Sequence, residues 1–64
     1  MAKKRVIVKG GGENLYYVSE SSGTYYVYKG HVWGGDTQIG KARSMSDALA
    51  IITSYSGHAI ESIG

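Results

Sequence analysis

The side chains best equipped for catalysis in this 64-residue chain are two histidines, His31 and His58. Nucleophilic chemistry needs a Ser, Thr or Cys beside a base that a third group orients. His58 follows a helix stop, where it is placed to meet free carbonyls. His31 lies beside Trp33 in a Gly-bounded segment. The carboxylates Glu13, Glu20, Asp36 and Glu61 fall in turns or near the termini, and Asp47 suits a helix cap. Lys9-Gly10-Gly11-Gly12-Glu13 resembles a phosphate cradle only in its glycines, because no Lys-Ser/Thr follows and no helix begins there. His31 and Asp36 would give a metal two ligands, too few for a closed site, and there is no Cys. The expectation is a protein that is not an enzyme and carries no cofactor and no metal.

A different chemistry is concentrated elsewhere. The chain has six Tyr and no Phe, and five of the six lie between Leu15 and Tyr28. A phenol hydroxyl in an apolar interior needs a partner, so tyrosine suits a position with one wet end. Rings on a sheet can stack unpaired bases while neighbouring Lys and Arg take phosphates. The cations available are Lys3, Lys4, Arg5, Lys9, Lys29, Lys41 and Arg43. The net charge of +2 and pI near 9.0 permit nucleic-acid binding without demanding it. The Lys/Arg-Gly-Phe/Tyr-Gly/Ala-Phe signature of sheet-based RNA-binding domains is missing. Residues 1–4 read as a basic N-terminal arm that aids solubility.

The elements that must position these groups can be read from pattern. Arg5 to Lys9 is short and β-branched, a strand. Leu15–Glu20 and Thr24–Lys29 form a hairpin around Ser21-Ser22-Gly23, read as a three-residue loop with Gly in the left-handed position. Gly30 to Asp36 is a strand end or a loop with a hydrophobic tip. Thr37 to Ala42 is a fourth strand. Ser44 opens a helix, with Asp47 three residues on as a short-armed capping box. Met45, Ala48, Leu49, Ile52 and Tyr55 make one apolar stripe, broadened by Ile51, and Gly57 suits the left-handed stop. Leu49 and Ile52 are expected to be its most buried residues. Ala59 to Ile63 could add a short strand. The expected fold is one small α+β domain over residues 1–64, a two-layer antiparallel sheet of about four strands with one C-terminal helix on one face (ββββα, with a possible strand after it).

One helix covers one sheet face, and the chain holds no element to cover the other. A three-residue loop pairs Ser19 with Tyr25, Val18 with Tyr26, Tyr17 with Val27 and Tyr16 with Tyr28. Leu15, Tyr17 and Val27 then meet the helix, and Tyr16, Val18, Tyr26 and Tyr28 face outward. A one-residue change in loop length reshuffles these sets. The expected function is a small binding module acting through this Tyr-rich face, first by protein–protein association including a homodimer. The alternative is binding of single-stranded nucleic acid. The site residues on this reading are Tyr16, Tyr26, Tyr28 and Lys29, with Trp33 as a secondary anchor. Trp33 as a core plug at the sheet edge is the competing reading. No stretch approaches the length of a membrane span and no signal peptide is evident, so a cytoplasmic protein without membrane partners is expected.

Overall fold

The computed structural model describes residues 3–10, 14–31 and 34–64. Five strands and one helix follow in the order β1 (Lys3–Val8), β2 (Leu15–Ser21), β3 (Thr24–Gly30), β4 (Asp36–Ala42), α1 (Met45–Ser56) and β5 (Ile60–Ile63). All pair antiparallel in one sheet of order β4-β3-β2-β1-β5, with the helix packed on one face. The α+β class and the ββββα order are as the sequence implies, and the residues after the helix form the fifth strand. β5 returns to the far edge, pairing with β1 rather than β4. β1 begins at Lys3, so Lys3 and Lys4 are strand residues and not part of a free arm.

The hairpin departs from expectation by one residue, with large consequences. Ser21 pairs with Thr24, so the loop is the two residues Ser22 and Gly23. Both have positive φ, 52° and 81°, the signature of a type I′ turn, whose twist matches that of the strands it joins. The Gly23 N–H donates to Glu20 Oε2 at 2.9 Å, which ties the tip down. Shortening the loop slides β2 by one residue against β3. Val18 now pairs with Val27, Tyr17 with Tyr28, and Ser19 with Tyr26. Because side chains alternate, every β2 residue changes face relative to the three-residue reading, while β3 keeps its assignment.

The core therefore holds Val6, Val8, Tyr16, Val18 and Val27 from the sheet and Ala48 and Ile52 from the helix. Tyr16 is 2 % exposed, and the Tyr55 ring meets it edge-on with centroids 6.2 Å apart. Leu49 is half-buried, so Ala48 takes the place expected for it beside Ile52. The helix sits close to the sheet at Ala48, where a small residue allows approach. Gly40 works the same way from the other side: a Cβ there would come within 3.3 Å of Ile51 Cδ1 and Cγ2. Beside Gly40 the β3–β4 ladder slips, leaving Ile39 unmatched and packed on the core as a bulge. Ser44 and Gly57 close the helix ends as the sequence suggests, but among the described residues the Asp47 side chain does not make the reciprocal bond of a capping box. Ser44 Oγ accepts from the Asp47 N–H at 3.2 Å, while Asp47 itself stays exposed. Gly57, at φ 74°, donates its N–H to the Thr53 carbonyl at 2.9 Å.

Candidate functional site

The helix-free face of the sheet is laid out by register. Residues that pair across strands share a face, and so do residues two apart along a strand. Two rows result. Lys3, Ser19, Tyr26 and Lys41 form one, crossing β1, β2, β3 and β4. Arg5, Tyr17, Tyr28 and Gln38 form the next. Below them Ile7 pairs with Leu15, and Gly30 pairs with Asp36. Leu15 and Tyr17 lean over Gly30, where a Cβ would lie 3.2 Å and 3.1 Å from their side chains. That contact confirms that these residues lie opposite the helix, since Gly40 on the other face looks at Ile51.

Aromatic rings thus occupy the middle of the face and cations occupy its flanks. Tyr17, Tyr26 and Tyr28 are half-buried, whereas Lys3, Arg5 and Lys41 are exposed. Lys3 Nζ sits 4.6 Å from the Tyr17 ring centroid, within cation–π range. The same ammonium reaches Asp36 Oδ2 at 3.3 Å. These partners come from β1 and β4, with β2 and β3 between them. The pair therefore reaches across the two ring-bearing strands. With the Lys3 side chain 53 % exposed, the ion pair contributes about 0–1 kcal/mol.

At one end of the face a shallow depression of about 320 Å³ is lined by Thr24, Tyr26, Lys41, Ala42 and Arg43. It sets one ring wall against a hydroxyl and two cations. A smaller hollow of about 150 Å³ opens on the helix side at the start of α1, lined by Lys4, Val18, Glu20, Tyr25 and Met45. The histidines take no part in either. His31 Nε2 is 2.9 Å from Thr37 Oγ1 at the exposed surface, and the His58 ring lies over Gly10. The His58 backbone N–H donates to Ser56 Oγ, not its ring to a helix carbonyl. Among the described residues no three of His, Asp and Glu converge as a metal site needs.

Of the residues expected at the site, Tyr26 and Tyr28 stand on the open face. Tyr16 does not: the two-residue turn sends it into the core. Lys29 also points to the helix side, with its ammonium 5.2 Å from the Tyr16 ring. Trp33 lies outside the described residues. Tyr17, expected against the helix, belongs instead to the open face, and so do Lys3, Arg5 and Lys41, which the sequence offers as cations without placing them. The pairing register places them: Tyr17 and Lys41 sit directly across from Tyr28 and Tyr26, and Lys3 and Arg5 sit one strand further out, across from Ser19 and Tyr17. Set against known protein families, curated proteins and solved structures, the chain matches none, so its site is read from geometry alone.

Proposed function

We propose that this protein is a small, non-enzymatic binding module whose working surface is the helix-free face of the sheet. The observation that carries the reading is the pairing of Tyr17 with Tyr28 beside Tyr26 on a face that no element of the described chain covers. Contiguous exposed apolar surface tends to mark interaction sites, and tyrosine is enriched in them. The face is broad and shallow rather than a deep cleft of the kind small ligands favour, so a macromolecular partner suits it.

A pull-down from extract tests this, with the wild-type chain and a Tyr26→Ala/Tyr28→Ala chain as baits, each with and without nuclease. Specific capture by the first bait and its loss by the second support the reading. Equal capture by both baits, with both folded by circular dichroism, would rule the face out. Sedimentation of the same two chains covers the case of a second copy. Isologous packing sets a patch against itself, so Lys3, Arg5 and Lys41 would meet a like-charged surface. That argues against a homodimer through this face.

A further inference from the structure

Resting on that reading, we infer that the partner is a single-stranded nucleic acid, held with its bases on Tyr17, Tyr26 and Tyr28 and its phosphates on Lys3, Arg5, Lys41 and Arg43. The first support is charge. The two tyrosine rows carry three cations and no carboxylate, and Asp36, at the end of the face, is engaged by Lys3. A polyanion complements such a surface.

The second support is layout. Tyr26 and Tyr28 alternate along β3, which spaces them by roughly 6–7 Å, and Tyr17 stands directly across from Tyr28. Rings therefore form a platform on β2 and β3, and cations stand on β1 and β4, the strands to either side, where a backbone crossing the platform would run. Every base has a π-face, so stacking of this kind tolerates sequence. It also requires unpaired bases, because a duplex buries those faces in its own stack. The third support is the depression beside Tyr26, where a ring, the Thr24 hydroxyl and the two cations Lys41 and Arg43 surround one space. A stacked base with its phosphate fits that set of groups.

The Lys3–Asp36 pair gives the inference a sharp handle. The Lys3 ammonium lies over the Tyr17 ring, so a base stacking there must displace it. Once displaced from the ring and from Asp36, it is free to meet a phosphate. Asp36 then competes with the ligand for Lys3, and removing the carboxylate should favour binding.

The test is fluorescence anisotropy with labelled oligothymidylate and oligouridylate of about twelve nucleotides, within the range one small domain covers, beside a duplex of equal length. Both single strands should bind, and the duplex about ten-fold more weakly or less. The slope of log affinity against log salt should lie near −2 to −3, the value for three or four phosphates at about −0.7 each. Tyr26→Ala and Tyr28→Ala should each weaken binding about ten-fold, and Tyr28→Phe, which keeps the ring, should restore it. Lys41→Gln should flatten the slope by about 0.7. Asp36→Asn should tighten binding by up to about five-fold. Tyr28→Leu guards against a fold defect, since it keeps an apolar side chain while removing the stack.

No saturable binding to either single strand would overturn the inference. So would equal affinity for the duplex, or tyrosine variants that bind as the wild type does. If the pull-down instead returns a face-dependent, nuclease-resistant partner, or sedimentation a face-dependent dimer, the binding surface stands and the nucleic acid falls. If no capture, self-association or oligonucleotide binding depends on the tyrosines, both fall.

Discussion

Tyr16 and Tyr17 are neighbours in sequence and serve opposite sides of one sheet. Tyr16 is closed in between Val6, Lys29 and the Tyr55 ring, and contributes packing to the core. Tyr17 lies across from Tyr28, over Gly30, half-buried, with the exposed Lys3 ammonium against its ring. The same side chain is thus a core residue at one position and a platform at the next. What separates them is not chemistry but parity, and parity is set at the turn. Aromatic composition in a strand therefore says little until the register is known. Register here depends on whether two residues or three reverse the chain.

The contrast can be broken most directly by stability. Tyr16→Ala should cost about 3–5 kcal/mol, as other buried aromatic truncations do. A chain of this length has roughly 3–10 kcal/mol in all, so that variant should be largely unfolded. Tyr28→Ala should cost only about 0.2–1 kcal/mol, the worth of a cross-strand pair. Urea denaturation followed by circular dichroism measures both. Similar losses at the two positions would mean that the sheet faces are not as different as their packing implies.

The helix gives a second, smaller comparison. Ile52→Ala should cost about 2–5 kcal/mol, and Leu49→Ala, from a half-buried site, should fall at or below the bottom of that range. A larger loss at Leu49 would place the apolar stripe one residue away from where it packs. The turn supplies the smallest effect. Ser22 holds φ at 52°, a conformation that costs a non-glycine L-residue about 1–2 kcal/mol and Asn less. Ser22→Asn should raise stability by about 0.5–1 kcal/mol with no change in register. If it lowers stability, the two-residue turn is not what joins β2 to β3.

Much of the fold was legible because its signals are local. β-branched and tyrosine-rich runs marked the strands. Ser44 and Gly57 marked the helix ends, and the apolar stripe placed the helix on the sheet. The face assignment was only half legible. The alternation along β3 is visible in its sequence, and it puts Tyr26 and Tyr28 on the open side. β2 was inverted, because Ser22 is not a residue that usually marks a type I′ turn, where Asn and Asp before Gly are the common sign. Lys3 and Lys41 were legible as cations but not as members of the site, for a different reason. Their place beside the tyrosines comes from strand order, and nothing local in the sequence says that β1 adjoins β2 while β4 adjoins β3. The fifth strand was visible as a possibility, but its pairing with β1 is a long-range choice.

That last pairing sets how the molecule assembles and comes apart. The β2–β3 and β3–β4 ladders join segments close in sequence and can form early. The β1–β5 ladder, closed by reciprocal Arg5–Gly64 backbone bonds of 2.9 and 2.8 Å and by Lys9 N–H to the Ala59 carbonyl, must wait for closure of nearly the whole chain. β5 is also the shortest strand, and three of its four residues are exposed. Amide protons there should exchange with solvent first, as a local opening well below the cost of global unfolding. The tyrosine platform draws its rings from β2 and β3 and its cations from β1 and the β4 end of the sheet. It can therefore persist while the fifth strand breathes.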